Sequence, residues 1–215
     1  MNFEDGHRRK IGLQRRERTR EKLLEAAARV IAESGEKKAT IDDFIQAAGV
    51  ARGTFYNYYT TRDALLDDLW RQTGQYPFKE IQAACEKLPD PAERLAAQAR
   101  LVLNCARSKP IWGWLVYALS VDAETVNDDL LSYPRPDLLA GAREGRLTFD
   151  DLSAASDLFV GSIRTALRAT LEDDRSAEYL QTLCVLLLKA VGIPDAEARE
   201  ISARPLPALA GPGPA

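Results

Sequence analysis

The chain has 215 residues, of which 46% are hydrophobic and 28% charged, so it can fold around a large core without disulfides or metal. One histidine and three widely separated cysteines argue against a zinc site, a disulfide framework and a Ser-His-Asp triad, so we expect no metal, no cofactor and no enzyme. The first 62 residues hold 13 Lys and Arg against 9 Asp and Glu, whereas the remainder holds 16 against 23. This asymmetry predicts a basic module for a polyanion, joined to an acidic body with another role.

The longest stretch without charge or strong polarity covers residues 111–119, about half the length that a membrane-spanning helix needs. Because this stretch is apolar all round, we expect it to lie centrally in the body. No apolar stretch follows the charged N-terminal residues, so the pattern of a secretory signal is absent. We therefore expect a cytoplasmic protein without a membrane span.

The N-terminal region predicts an irregular start followed by a helix. Residues 1–15 are rich in arginine and have no clean period, which is typical of a flexible basic arm. From residue 16 apolar side chains recur on one face as far as Ser34 and Gly35, where glycine favours a helix C-terminus. The charges of the arm fit a contact with nucleic acid and a solvated tail equally well.

Two further short helices follow, joined by a tight turn. Thr40 and Asp43 form a Ser/Thr-x-x-acid capping box that predicts a helix start, and Gly49 closes that helix after two turns. A third helix is predicted over residues 51–59. Three helices in this order, the last two joined by a glycine-containing turn, indicate a helix-turn-helix over residues 16–62.

The third helix presents two different faces on a helical wheel. Phe55 and Tyr59 lie four residues apart and point into the core. The other faces carry small polar groups, tyrosine hydroxyls and arginines at helix starts, which can reach phosphates. These outward residues are Arg52, Gly53, Thr54, Tyr56, Asn57 and Tyr58, and Arg62 begins the next helix. Small polar side chains with phosphate donors beside them suit a helix that enters the major groove of double-stranded DNA.

The rest of the chain forms a larger helical part over residues 63–203. It opens on a second capping box, from Thr60 to Asp63, and ends with two strongly apolar helices at about residues 150–171 and 177–191. No stretch alternates with period two, so we expect an all-α fold. The Pro- and Gly-rich residues 204–215 predict a disordered tail.

The stretch TIDDFIQAAGVARGTFYNYYTTRDALL, from Thr40 to Leu66, resembles the DNA-binding signature of the tetracycline-repressor (TetR-type) family. Residues 16–73 resemble the four-helix N-terminal part of that family. The resemblance implies DNA contacts by Thr40, Arg52, Gly53, Thr54, Tyr56, Asn57, Tyr58 and Arg62. Tyr59 stands where the family usually has Phe, so its additional hydroxyl needs a partner or a route to water.

For the body, the resemblance is one of architecture and implies a homodimer that holds a small-molecule effector in a mainly apolar cavity. The candidate lining is a group of aromatic residues: Trp112, Trp114, Tyr117, Phe149 and Phe159. The candidate dimer contact lies on the two closing helices and comprises Phe159, Ile163, Ala166, Leu180, Leu183 and Leu187. The implied function is a repressor that a small apolar or aromatic ligand releases from a palindromic operator.

Other uses of the same residues remain open. A DNA organiser or adaptor would need no ligand, and a helical enzyme would use the cavity for catalysis, although no nucleophile-base pair is evident. The five Asp-Asp pairs fit helix starts better than metal sites, because no histidine supports them. Cys105 and Cys184 lie on apolar helix faces, which favours buried, inert thiols over a redox switch.

Overall fold

The computed structural model describes residues 3–34, 39–122, 129–130, 132–173 and 175–209. Over these residues the chain is helical without a β-strand, which confirms the all-α prediction. The N-terminal helices are α1 (Phe3–Ser34), α2 (Ile41–Ala48), α3 (Arg52–Tyr56) and α4 (Arg62–Leu69). A π-helical turn (Trp70–Gly74) joins α4 to α5 (Gln75–Cys85). The body continues with α6 (Pro91–Ser108), α7 (Pro110–Asp122), α8 (Arg135–Arg143), α9 (Leu152–Asp173), α10 (Ala177–Ala190) and α11 (Asp195–Ala203).

The N-terminal helices close around a small apolar core. α1 packs against α2 and α4, and the side chains of Leu23, Phe44, Phe55 and Leu65 are fully buried. Tyr59 also points inward, as the helical wheel predicts. Because burial of a large apolar side chain contributes about 1.5–3 kcal/mol, these residues determine which side of α3 stays outside.

This core is continuous with the first part of the body. α1 also packs against α7, and the buried cluster that holds Leu23 and Phe44 extends to Trp70, Leu103 and Leu115. The helix-turn-helix therefore shares packed side chains with the body. Since packed interiors have few voids, a displacement in this part of the body is transmitted to the N-terminal module.

A second apolar cluster holds the other end of the body together. It includes Leu95, Leu138, Phe159, Leu188 and Ile201, which come from α6 and from α8 to α11. Helix α6 packs against α5, α7, α8, α9, α10 and α11, so α6 is the central helix of the body.

Helix α7 is one-sided, although its sequence is apolar all round. Trp112, Leu115 and Leu119 are buried at helical spacing, whereas Ile111 and Val121 are 61% and 60% exposed. The sequence predicts a central position for this segment, but only one side of α7 is buried, because α6 and not α7 occupies the centre of the body. None of the described helices, α7 included, is long and apolar enough to cross a membrane.

The predicted boundary between a flexible arm and the first helix is wrong, because α1 begins at Phe3. Arginine and glutamate are good helix formers, and Glu17 pairs with Arg20 one turn later at 2.9 Å. Residues 11–18 of α1 are exposed, so no apolar period is needed there. Ile11 and Leu13 accordingly remain 42% and 63% exposed.

The predicted disordered tail is ordered at its start. Arg204 Nη1 donates a hydrogen bond to Glu93 Oε2 at 2.7 Å, and Leu206 and Leu209 pack against the first core cluster. The prediction is therefore wrong for the first six residues of the tail. The last six lie outside the described residues.

Candidate nucleic-acid interface and central cavity

Helix α2 starts with the predicted capping box. Thr40 Oγ1 accepts a hydrogen bond from Asp43 N at 3.3 Å, and Asp43 Oδ2 accepts from Thr40 N at 2.8 Å and from Thr40 Oγ1 at 2.6 Å. These hydrogen bonds to its charged form lower the pKa of the Asp43 carboxyl. Gly49 ends the helix in the left-handed region, at φ 58°. The caps define both ends of α2, and Thr40 is exposed at its N-terminus.

The outward side of α3 is uncovered. Helix α3 ends at Tyr56 and a turn follows, so it is shorter than the predicted residues 51–59. An added Cβ on Gly53 would meet no other atom within 4 Å, which leaves room for a close approach of the backbone to another molecule. The predicted recognition residues lie together on this side, where Arg52, Gly53, Tyr56 and Asn57 are exposed and Thr54 and Tyr58 are half-buried.

Two arginines stack on tyrosines of this surface. The guanidinium of Arg52 lies 5.9 Å from the ring centroid of Tyr56, and its Nη1 donates to Asp42 Oδ1 at 2.7 Å. The guanidinium of Arg16 lies 5.8 Å from the ring centroid of Tyr58. Arg16 lies on α1, so the surface extends beyond α3. A helical wheel of α3 cannot identify such a residue from another helix. The surface combines cations with aromatic faces, an arrangement that holds side chains in place.

Arg62 faces the backbone rather than open solvent. Its Nε donates to the carbonyl oxygen of Ala39 at 2.8 Å, and its side chain is 15% exposed. Arg62 therefore braces the residue before Thr40, and its predicted phosphate contact stays a prediction. The cap of α4 is Thr61, whose Oγ1 accepts from Ala64 N at 3.1 Å. The capping box predicted from Thr60 to Asp63 is therefore wrong, because the helix starts one residue later and Ala64 has no side chain that could return a hydrogen bond.

The hydroxyl of Tyr59 has the partner that the sequence requires. Tyr59 Oη donates to Asp68 Oδ2 at 2.6 Å, and Arg20 Nε donates to the same oxygen at 2.9 Å. Burial, followed by the hydrogen bond to Asp68, raises the pKa of Tyr59 far above its ordinary value. One carboxylate on α4 thereby joins α1 to the turn after α3.

The π-helical turn after α4 carries a contact that sequence reasoning missed. Trp70 Nε1 donates to Asp129 Oδ2 at 2.9 Å, and Gln75 Nε2 donates to the same oxygen at 3.0 Å. The ring of Phe78 follows at 5.7 Å from that of Trp70. No periodic pattern marks a π turn, which often occurs at functional positions of helices.

A cavity lies in the body among α5, α6, α7, α9 and the segment before α8. Its volume is about 70 Å³. Its lining is mainly apolar and consists of Phe78, Ile81, Gln82, Leu95, Gln98, Ala99, Val102, Val116, Ser120, Leu130, Tyr133, Pro134, Phe159, Val160, Ile163, Arg164 and Leu167. This composition is typical of a small-molecule site.

Four of the five predicted lining residues lie elsewhere, and Phe159 alone borders this cavity. Trp112 packs behind the wall, with its ring 5.5 Å from that of Phe78. Trp114 and Tyr117 pack on each other at 6.0 Å, and Phe149 joins the second core cluster. These four residues therefore do not line this cavity. For the three on α7, the apolar sequence does not reveal which side of the helix faces the cavity, and Phe149 lies in the segment between α8 and α9.

The predicted dimer contact is also wrong for most of its residues. Phe159, Ala166, Leu180 and Leu187 are at most 3% exposed within a single chain, so they belong to its own core. Ile163 and Leu183 are half-buried, and Ile163 borders the cavity. The apolar residues left outside on the same helices are Leu158, 42% exposed, and Leu186, 58% exposed.

The three cysteines are free and buried. Burial raises the pKa of the Cys85 and Cys184 thiols to about 12 in each case, and burial also raises that of Cys105. A thiol with a raised pKa is a poor nucleophile, which agrees with the predicted inert role.

Two family models match separate parts of the chain. Residues 23–69 match bacterial regulatory proteins of the tetR family, and residues 90–204 match the tetracyclin repressor-like C-terminal domain. The second match alone covers more than half of the chain. The chain belongs to the tetracycline-repressor family.

Relatives in this family include YvdT from Bacillus subtilis, an uncharacterised transcriptional regulator that is 50% identical over 46 residues. KstR2, a transcriptional repressor from Mycobacterium tuberculosis, is 30% identical over 76 residues. These alignments span 21% and 35% of this chain and only 24% and 38% of the relatives' own lengths.

A solved structure of RolR in complex with resorcinol matches a larger share of this TetR-family chain. It is 31% identical, has a TM-score of 0.69, and covers 92% of this chain and 100% of its own. Family membership places the chain among DNA-binding regulators of transcription and confirms the helix-turn-helix followed by a helical body.

Proposed function

We propose that this TetR-family protein is a cytoplasmic homodimeric repressor that binds a palindromic operator and is released by a small aromatic or apolar ligand. The main support for DNA binding is the outward side of α3. Arg52, Gly53, Tyr56 and Asn57 are exposed there, while the opposite side of the helix is held in the core. Small polar groups suit base edges, and the flanking cations suit phosphates.

A palindromic operator requires two copies of the reading helix. Leu158 on α9 and Leu186 on α10 supply exposed apolar side chains on the two closing helices. A two-fold contact brings the same patch together from both subunits, and a stable dimer buries about 1,200 Å² or more. The two α3 helices would then reach successive major grooves about 34 Å apart.

The cavity supports a small ligand rather than a bulky one. Its volume of about 70 Å³ is roughly half that of a cavity that binds benzene, about 150 Å³, so a one-ring ligand would have to displace side chains of the wall. RolR, with 31% identity over nearly the whole chain, is solved with the one-ring aromatic resorcinol. A cavity of this kind also favours the ligand-responsive repressor over a ligand-independent DNA organiser, which needs no cavity.

A route joins the cavity to the reading helix. Phe78 forms part of the cavity wall and contacts Trp70 in the π-helical turn. That turn continues α4, whose Asp68 holds Tyr59 beside α3. A ligand that displaces Phe78 would shift α4 and change the separation of the two α3 helices, so operator affinity falls.

Selection of bound genomic fragments, repeated in the presence of small aromatic compounds, tests this function. We expect enrichment of an inverted repeat that the purified dimer binds and that an active compound releases. Thr54→Ala and Asn57→Ala should alter the selected sequence, because both residues face bases. Failure to enrich any sequence, with the protein folded and dimeric, would refute the proposal, and turnover of a bound compound would favour the enzyme instead.

A further inference from the structure

One side of the central cavity carries a chain of polar contacts. Asp137 on α8 is 8% exposed, and its Oδ1 accepts a hydrogen bond from Arg94 Nε. Its other oxygen, Oδ2, accepts from Gln98 Nε2 at 2.7 Å. Arg94 and Gln98 lie four residues apart on α6, so both side chains reach the same carboxylate.

These contacts determine which end of the Gln98 amide faces the carboxylate. The carboxylate is ion-paired with Arg94 and can only accept hydrogen bonds, so the NH₂ group of Gln98 must point towards Asp137. The carbonyl oxygen, Oε1, then points away from Asp137 and has no hydrogen-bond partner among the described residues. Since Gln98 borders the cavity, Oε1 is the acceptor that this side chain can offer there.

Gln98 is the cavity acceptor that a carboxylate orients, and two hydroxyl groups also border the cavity. Ser120 Oγ donates to the carbonyl oxygen of Tyr117 at 2.7 Å, within its own helix, which leaves its lone pairs as acceptors. The Tyr133 hydroxyl can donate as well as accept. Gln82 also borders the cavity, but its side chain is exposed and no carboxylate holds its amide. Arg164 offers only donors. The rings of Phe78 and Phe159 supply flat apolar walls.

We infer that the cavity takes a one-ring phenol whose hydroxyl donates a hydrogen bond to Gln98 Oε1, with Asp137 as the residue that positions the amide. The inference rests on the proposed function for the role of the cavity as the effector site. A ligand of the same size without a donor leaves the acceptor unpaired, which lowers affinity about tenfold. The apolar ring of the phenol would pack against the apolar side chains that form the rest of the lining.

The test compares phenol, toluene, anisole and benzoate on the unaltered protein without DNA, by thermal melting and calorimetry. Phenol should bind about tenfold more tightly than toluene or anisole, because it alone among the three donates a hydrogen bond. Equal binding of phenol and toluene would overturn the inference. Tighter binding of benzoate would also overturn it, since the cation of Arg164 would then select the ligand, and so would a lack of binding by all four compounds.

Two glutamine-to-leucine variants test which glutamine accepts the hydrogen bond from phenol. Gln98→Leu should reduce the preference for phenol over toluene to near unity, whereas Gln82→Leu should leave that preference intact. Asp137→Asn frees the Gln98 amide to turn, so the preference for phenol over anisole should fall in a variant that still melts cooperatively. An unchanged preference in Gln98→Leu would exclude Gln98 as the acceptor, and the four-ligand comparison decides the matter if this variant does not fold.

Operator binding is measured separately, in the absence of any ligand. If the operator is bound and phenol is not preferred, the inference fails and the proposed function stands. If phenol is preferred and no DNA is bound, the inference about the cavity stands and the proposed function fails.

Discussion

Tyr59 donates a hydrogen bond to Asp68 across 2.6 Å, and this contact ties the turn after α3 to the last turn of α4. Arg20 from α1 donates to both oxygens of the same carboxylate. Three segments of the N-terminal module therefore meet at one charged group. The orientation of α3 depends on this meeting point, since α3 itself spans only five residues.

Tyr59→Phe should lower the free energy of unfolding by about 1–2 kcal/mol, because Asp68 loses a charge-assisted hydrogen bond but retains Arg20. Urea unfolding measures the change. Tyr58→Phe is the matched control, since the Tyr58 hydroxyl forms no hydrogen bond with the described residues. Equal effects of the two substitutions would show that the Asp68 contact does not stabilise the module.

Gly53→Ala should separate DNA binding from stability. A Cβ at this position meets no atom of the free protein, and alanine is favoured over glycine in helices by up to about 1 kcal/mol, so the variant should fold at least as well. The same methyl group would stand between α3 and the DNA, so operator affinity should fall. A fluorescence-anisotropy titration that found unchanged affinity would place Gly53 away from the DNA.

Arg52→Ala should change the salt dependence of DNA binding, whereas Arg62→Ala should change the stability of the fold. Arg52 is 64% exposed and can exchange Asp42 for a phosphate, so its loss should reduce the salt dependence of binding by about one unit. Arg62 is 15% exposed and bonded to Ala39, so its loss should mainly lower the melting temperature. A salt titration in which Arg62→Ala produced the larger change in slope would reverse this assignment.

Leu186→Asp and Leu187→Asp compare neighbouring positions of α10. Leu186 is 58% exposed, so the charge should disrupt the dimer and leave a folded monomer. Leu187 is 3% exposed, and a buried unpaired charge should destabilise the chain by about 4 kcal/mol or more. Sedimentation and circular dichroism distinguish the two outcomes. A Leu186→Asp protein that sediments as a dimer would place the interface on another surface.

Features that depend on near neighbours in the chain were predictable from the sequence. Thr40 and Asp43 form their capping box because both partners lie within one helical turn. Phe55 and Tyr59 turn inward because four residues bring side chains to the same face. The side of α3 that remains outside follows from these two positions, and so does the composition of the candidate DNA surface.

Features that depend on distant parts of the chain were not predictable in the same way. Trp112 and Trp114 are two residues apart in an apolar helix, and only the packing of α7 decides which of them is buried. The sequence predicts Leu187 in a dimer contact, because a single apolar stripe does not reveal whether its partner is α6 or another subunit. The contact between Trp70 and Asp129 joins residues 59 positions apart.

The position of Phe78 has an optical consequence. Two of the three tryptophans in the chain, Trp70 and Trp112, lie with ring centroids 5.7 and 5.5 Å from the ring of Phe78, whose side chain also forms the cavity wall. A molecule that enters the cavity thus changes the surroundings of both indoles through a single shared neighbour. The intrinsic fluorescence of the protein is thereby a label-free reporter of cavity occupancy, with Trp114, on another side of α7, as the constant background.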